Sequence, residues 1–370
     1  MVRIALVGLG KMGISHLAIT KSHPDATLVA VCDTAGYVLD VLHKYTGIDI
    51  YTDYRRLMDE TTLDAVIIAT PSRLHGEMVR AALERNLHVF CEKPFCLDVQ
   101  EGMELAAFAR SKGLVNQVGY HCRFVSAFRE AKRLLEAGTL GRIHHVRAEA
   151  YGPVVVRTRN TTWRGRKADG GGCLYDYACH VIDLVTYLVG PPERVSGTVH
   201  NKVFSREVED EAYCTLHFAN GVTGQLACNW SDDSCRKMET RLVVWGSNGR
   251  LAVDRQEVQI YLREASTNGI QQRRGWNVSS TTGLTDSPYY YLRGEEYTAQ
   301  IDHFVQCIQS GRVETMSSFA SAVATDRVIS MMVDDVGQVS SLGPEIPTPS
   351  RLNIPTARKG FFARAMAGLS

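Results

Sequence analysis

The sequence predicts an α/β protein: an N-terminal doubly wound domain of the Rossmann type, followed by a C-terminal α+β domain on an open, mainly antiparallel sheet. Three observations carry this. Short apolar runs alternate with helical stretches through residues 1–122, the pattern of βαβ units on a mostly parallel sheet. A glycine cluster closes the first apolar run and opens the first helix. After Arg123 the alternation stops, and strand-like runs joined by turn signals take over. The expected division is 1–122, 123–340, and an extended C-terminal arm over 341–370.

The elements follow in order. Val2–Val7 is a short apolar run, and Lys11–Ser22 has helical character. Thr27–Asp33 and Asp64–Ala69 read as buried strands, each a run of small and β-branched residues without alternation. A helix over Ser72–Asn86, a strand at His88–Cys91, a helix over Val99–Lys112 and a strand at Val115–Val118 complete the first domain. In the second, a helix over Phe128–Ala137 ends at Gly138, and another spans Tyr175–Leu188 after a glycine-rich stretch. Ala212–Phe218 and Val222–Asn229 flank Asn220-Gly221, a hairpin turn signal. Arg241–Trp245 and Arg250–Val253 flank Ser247-Asn248-Gly249, and Val258–Leu262 follows. Ser266–Pro288 is polar and poorly periodic and is predicted to be a long surface loop. Helices over Glu295–Gln309 and Ser318–Val333 close the fold. The tail from Gly343 carries four prolines, then a basic piece with Phe361 and Phe362.

Bulk properties narrow the function. The chain has 370 residues and a formal net charge of +1, so no global field favours nucleic acid or an anionic membrane as partner. No run approaches the ~18 apolar residues of a spanning helix. The apolar start is broken by Gly8, Gly10 and Gly13, which is unlike a secretory leader. The ten cysteines form no CxxC pair and have no zinc-finger spacing; several lie in apolar runs, as Cys32 does, and read as reduced, buried thiols of a cytoplasmic protein. His144-His145 and Asp232-Asp233 are isolated pairs, so no metal is expected.

Gly8-Leu9-Gly10-Lys11-Met12-Gly13 is a GxGxxG fingerprint between a strand and a helix, with Asp33 at the end of the next strand. Gly8 permits the tight turn, Gly10 the close approach of a pyrophosphate, and Gly13 close packing of helix on sheet. The helix start, at Lys11 and Met12, offers free N–H groups to phosphate. The Asp33 carboxylate suits ribose hydroxyls and repels a 2′-phosphate, and no Arg or Lys directly follows it, so NAD is expected rather than NADP.

Four segments together resemble the glucose–fructose oxidoreductase / inositol dehydrogenase / rhizopine catabolism (Gfo/Idh/MocA) family over roughly residues 2–335. They are the glycine fingerprint, Ala69-Thr70-Pro71 with His75, Cys91-Glu92-Lys93-Pro94, and the run from Gly170 through Asp176 to His180. The resemblance implies a Rossmann domain plus an open-sheet domain, NAD as cofactor, and hydride transfer at a ring hydroxyl or ketone of a sugar, polyol or nucleotide sugar. It implies that Lys93 bridges nicotinamide ribose and substrate, that Asp176 orients or charges the site, and that Lys93 or His180 acts as the base. Asp176 and His180, at i and i+4, share a helix face with Asp183 and Tyr187. Thr70, Pro71, His75 and Glu92 are expected along the nicotinamide side. Trp163 and Arg164 are expected to reach cofactor or substrate, and Tyr120 and Arg123 to touch substrate at the domain junction. In the family the open sheet forms a homodimer or homotetramer interface.

Arg157, Arg159, Arg164, Arg166 and Lys167 lie close in sequence and suggest a site for an anionic sugar derivative. Two other functions stay open. One is a glycosidase that oxidises and re-reduces its sugar with bound NAD. The other is a non-catalytic dinucleotide sensor, against which the joint presence of Lys93, Asp176 and His180 weighs.

Overall fold

The computed structural model describes residues 1–157, 163–266 and 272–339. Six strands form the first sheet: β1 (Val2–Val7), β2 (Ala26–Cys32), β3 (Asp49–Tyr51), β4 (Ala65–Ile68), β5 (His88–Cys91) and β6 (Asn116–Val118). Every pairing is parallel, and the order is β3-β2-β1-β4-β5-β6, the doubly wound arrangement the alternation predicts. Helices α1 (Lys11–Ser22), α2 (Gly36–Thr46), α3 (Tyr54–Glu60), α4 (His75–Glu84) and α5 (Val99–Ser111) connect the strands. Covered on both faces, the strands other than the edge strand β3 are largely buried, which is why they read as unbroken apolar runs. Ile4, Leu6, Ile67 and Phe90 are all 0% exposed, and each such side chain contributes roughly 1.5–3 kcal/mol.

The second sheet has eight strands in the order β14-β13-β12-β11-β7-β10-β9-β8. They are β7 (Ile143–Tyr151), β8 (Arg194–Asn201), β9 (Glu211–His217), β10 (Thr223–Asn229), β11 (Glu239–Gly246), β12 (Gly249–Val253), β13 (Glu257–Leu262) and β14 (Gly275–Ser280). All pairings are antiparallel except β7 with β10. The helices of this half are α6 (Ser126–Glu136), α7 (Val154–Arg157), α8 (Cys179–Leu188), α9 (Thr281–Leu284), α10 (Glu295–Ser310) and α11 (Phe319–Val339). α8 is buried along nearly its whole length.

The expectation of a long loop over Ser266–Pro288 is corrected by β14 and α9. β14 is an edge strand with neither face buried. Its alternating Trp276 and Val278 are 45% and 58% exposed, so its sequence lacks the signature of a half-buried strand. The expected arm over 341–370 lies outside the described residues.

Two contacts bring the late helices back to the first sheet. Ile301, Phe304 and Val305 of α10 share a core with Val2, Ile4 and Phe90, and the Phe90 and Phe304 rings lie 5.9 Å apart. Phe319 at the start of α11 stacks on Phe95 at 4.2 Å, and Asp326 accepts the Cys96 amide at 3.2 Å. α11 thus holds the loop after β5, and α10 packs on β5 itself.

Candidate active site

The carboxyl ends of β1, β4, β5 and β6 lie side by side at one edge of the first sheet, the place where a doubly wound sheet binds its ligands in a crevice. Gly8 turns the chain there with φ +96°, and a Cβ on it would stand 2.6 Å from the Ala69 carbonyl oxygen. A Cβ on Gly13 would meet the Gly8 carbonyl oxygen at 1.8 Å, whereas one on Gly10 would meet nothing within 4 Å. Gly8 and Gly13 are therefore fixed by packing, while Gly10 faces open space. α1 begins at Lys11 with no side-chain cap and no acidic residue in its first turn. An uncapped helix start behind an open glycine fits the pyrophosphate of a dinucleotide. Asp33 braces this turn: its Oδ2 accepts the Leu9 amide at 2.6 Å and its Oδ1 the Ala35 amide at 2.8 Å.

Thr70 and Pro71 follow β4, and Glu92 and Lys93 follow β5. His75 ties the two loops together: its Nδ1 lies 2.8 Å from the Pro94 carbonyl oxygen and its Nε2 3.0 Å from that of Thr70. It is fully buried with both nitrogens facing main-chain carbonyls, so neither is open to a ligand. Glu92 is similarly committed. It meets His16 Nε2 at 2.7 Å and accepts the Lys93 amide at 3.1 Å, which fastens the β5 loop to α1. The Thr70 hydroxyl packs on the Met78 sulfur at 3.5 Å. The Lys93–Pro94 peptide is cis.

Lys93 points across the crevice to the turn that leads into α8. Its ammonium donates to Asp176 Oδ1 at 3.1 Å and to the Asp176 main-chain carbonyl at 2.9 Å. That turn, Leu174–Ala178, is π-helical, with the Cys179 N–H reaching back to the Leu174 carbonyl. Such widened turns recur at functional sites, and here the Asp176 carbonyl is open to a side-chain donor. Arg164 holds the other carboxylate oxygen, Oδ2, at 2.7 Å, and its guanidinium lies over the Trp163 ring at 4.7 Å. The glycine run positions Arg164: Gly172 N–H donates to the Arg164 carbonyl at 3.1 Å, and a Cβ on Gly171 would strike that carbonyl oxygen at 2.3 Å. Burial pushes the Asp176 carboxyl up, but the Lys93 and Arg164 charges outweigh it and hold the group below the ordinary carboxylate value. Burial likewise opposes the Lys93 charge, yet the Cys179 sulfur, the Asp176 carboxylate and Glu92 carry its pKa above the ordinary ammonium value. Lys93 is a permanent cation at neutral pH.

His180 follows on α8, 4% exposed. Its Nδ1 is buried and has no hydrogen-bond partner in the structure. Burial, reinforced by the Lys93 and Arg255 charges, drives its pKa well below the ordinary imidazole value, so the ring is neutral. Tyr120 meets it edge-on at 6.2 Å and His121 at 4.8 Å. His121 in turn stacks on Tyr297 at 4.6 Å and lies 3.2 Å from Arg255 Nη1, and Arg255 pairs with Glu296.

Several expectations are corrected here. Arg123 is not available to substrate. It is buried, forks onto Asp183 at 2.6–3.1 Å and donates to the Met316 carbonyl at 2.7 Å. Asp183 is thereby a structural partner and not part of a polar stripe. Tyr120 is 0% exposed, so its ring contributes to the wall behind His180. Among the described residues the basic stretch does not converge on one anion site: Arg164 is held by Asp176, and Arg166 lies 3.6 Å from Asp169. Lys167 is exposed, Arg159 lies outside the described residues, and nothing is described of the Arg157 side chain. The residues that sequence reasoning missed are His16, His121, Cys122, Arg255, Glu296 and Tyr297. Only His121 and Cys122 had a signal, since they directly follow the last predicted strand of the first domain.

Residues 2–120 match the model of the oxidoreductase family, NAD-binding Rossmann fold, and residues 128–252 match the GFO/IDH/MocA C-terminal domain. Over 333 residues the chain is 26% identical to scyllo-inositol 2-dehydrogenase (NAD(+)) of Bacillus subtilis (strain 168), covering 87% of this chain and 90% of that protein. It is 26% identical over 333 residues to the myo-inositol 2-dehydrogenase of Thermotoga maritima, covering 85% and 90%. Among solved structures it resembles a levoglucosan dehydrogenase in complex with NADH and levoglucosan. The TM-score is 0.78 with 25% identity, covering 91% of this chain and 97% of that one.

Proposed function

The chain belongs to the Gfo/Idh/MocA oxidoreductase family, and from that premise we propose that it is an NAD-dependent dehydrogenase or reductase acting on a ring CH–OH of a sugar, polyol or nucleotide sugar. When bound, NAD supplies the hydride acceptor of the reaction. The turn at Gly10 and the first turn of α1 would hold its pyrophosphate, and Asp33 its adenosine ribose. The observation that carries the reading is the buried ion pair of Lys93 with Asp176, one helical turn before His180. A secondary alcohol that loses hydride must also lose its hydroxyl proton. His180, kept neutral by burial and by neighbouring cations, keeps a lone pair to offer that proton. Lys93, kept charged by Asp176, is a poor base but a good electrostatic partner for the oxygen on which negative charge develops. Asp176 fixes the ammonium, and Arg164 fixes Asp176. This division of labour makes His180 the base.

We extend the reading to setting and assembly. The ten cysteines are all buried and none is joined in a disulfide, which supports a reducing, cytoplasmic compartment. No helix among the described residues is long and apolar enough to cross a membrane. Tyr261, Trp276 and Val278, exposed on the last two strands of the second sheet, support a homodimer or homotetramer formed through that sheet.

The test is a screen of polyols, sugars and nucleotide sugars with NAD, followed by NADH absorbance. Stoichiometric NADH formation with at least one of them is expected. Release of an aglycone with no net NADH, or binding of NAD with no turnover of any of them, would overturn the assignment.

A further inference from the structure

The expectation of no metal came from His144-His145 and Asp232-Asp233, and the fold brings three other residues together. His121, Cys122 and His180 each offer a ligand atom within 4.8 Å of the other two, and all three residues are buried. The first two are neighbours on the turn His121–Phe124 that follows β6, and the third comes from α8.

We propose that His121, Cys122 and His180 form a three-ligand site for a zinc-class divalent ion, and that the bound ion withdraws His180 from proton transfer. Two imidazoles and one sulfur are a donor set suited to zinc and cobalt, and three protein ligands leave a fourth position for water or a hydroxyl. Ordinary zinc–nitrogen and zinc–sulfur bonds at a tetrahedral angle put the two donors about 3.5 Å apart. Cys122 Sγ and His121 Nε2 stand 3.7 Å apart, close to that spacing, and the His180 donor, within 4.8 Å of both, closes in on the ion. A second observation points to a ligand independently. His180 Nδ1 is buried without a hydrogen-bond partner in a residue only 4% exposed, a costly arrangement unless something else satisfies the atom.

Cys122 gives up its thiol proton to solvent and coordinates as thiolate, and each imidazole gives one lone pair. Arg255 Nη1, which lies 3.2 Å from His121 Nε2, yields that atom to the ion and keeps its ion pair with Glu296. The thiolate offsets part of the added positive charge beside Lys93 and Arg255. An imidazole bound to a metal through one nitrogen carries its single proton on the other. His180 then has no lone pair for the substrate proton, whichever nitrogen the metal takes.

The switching part rests on the proposed role of His180, and the site itself does not. The test therefore has two readouts. The full chain is stripped of metal by dialysis against a chelator and titrated with Co²⁺. One equivalent is expected to produce a thiolate-to-cobalt charge-transfer band in the near ultraviolet that Zn²⁺ abolishes. The band is expected to be missing in Cys122→Ser and weakened in His121→Gln, with folding of both checked by thermal melting. In the assay, Zn²⁺ is expected to suppress turnover of the wild-type chain, reversibly with chelator. Cys122→Ser is expected to need at least about tenfold more Zn²⁺ to halve its own metal-free turnover. No thiolate band in the wild-type chain, or an unchanged band in Cys122→Ser, overturns the site. A cysteine-dependent band with undiminished turnover overturns the switch alone.

Discussion

Lys93 and Asp176 form a buried ion pair in which one ammonium meets both the carboxylate, at 3.1 Å, and the main-chain carbonyl of the same residue, at 2.9 Å. The double contact ties the loop after β5 to the π turn before α8, so the two halves of the chain meet at the group that would face the reacting oxygen. Replacing Lys93 by Met leaves the shape nearly intact and removes the charge. Turnover is expected to fall by roughly 10²-fold or more, as when one electrostatic contact to a developing oxyanion is lost. NADH affinity, read by fluorescence titration, is expected to change little. A Lys93→Met protein with near-normal kcat would show that the charge has no part in the reaction.

The glycines of the first turn are expected to separate by role. Gly10→Ala should melt close to wild type, because its Cβ meets nothing within 4 Å, yet bind NADH more weakly because the methyl occupies the approach to the pyrophosphate. Gly13→Ala puts a Cβ 1.8 Å from the Gly8 carbonyl oxygen and should lower the melting temperature as well. Thermal melting and NADH titration of both variants check this. Equal effects on both readouts would contradict the assignment.

Asp33 is expected to serve both ligand and turn. Asp33→Ser should relax the preference for NAD over NADP by removing the charge that repels a 2′-phosphate. It should also weaken binding of either dinucleotide, since the carboxylate braces Leu9 and Ala35. The ratio of kcat/KM for the two cofactors measures the first effect and NADH affinity the second.

The fold was largely legible because its first half is a repeated unit. Buried parallel strands between helices leave an apolar-run pattern that needs no knowledge of distant contacts, and the glycine fingerprint fixes where the first unit turns. The site was legible where its residues sit at strand ends, as Lys93 does, or in a recognisable run, as Asp176 and His180 do. It failed where chemistry depends on distant partners. Arg123 looked like a substrate residue because it follows β6, but Asp183, sixty positions away, claims it. His75 looked like a cofactor contact, but two carbonyls claim it. Arg255 and Glu296 come from a strand turn and a late helix start, and nothing local in either marks them as neighbours of His121. The basic stretch before the glycine run misled for a related reason: the sequence shows cations but not the carboxylates that neutralise Arg164 and Arg166.

Arg123 is expected to act on stability and not on substrate affinity. Asp183→Asn and Arg123→Met each leave a buried charge or its partner uncompensated, a change that typically costs about 3–5 kcal/mol. Both should lower the denaturation midpoint sharply while leaving KM of the surviving folded protein near wild type. A raised KM with unchanged stability would restore Arg123 to the substrate site.

Stability should also decline on mild acidification through His303. Burial first, then the Arg312 and Arg129 charges, pull its pKa from 6.5 down to about 4, and its Nε2 accepts the Met316 amide at 3.1 Å. The unfolded chain therefore takes up this proton before the folded one. Stability is full above pH 6.5 and is lost as pH falls from 6.5 toward 4. His303→Gln, which cannot titrate, should flatten that part of the melting-temperature profile. An unchanged slope would assign the loss to other groups.

The central claim is that a neutral His180 receives the substrate proton beside a charged Lys93. The most direct measurement compares wild type with His180→Ala by single-turnover NADH formation on an active polyol or sugar, alongside NADH affinity. The account predicts a loss of roughly 10²-fold or more in the chemical step with cofactor binding nearly unchanged. Near-normal single-turnover rates in His180→Ala would contradict it.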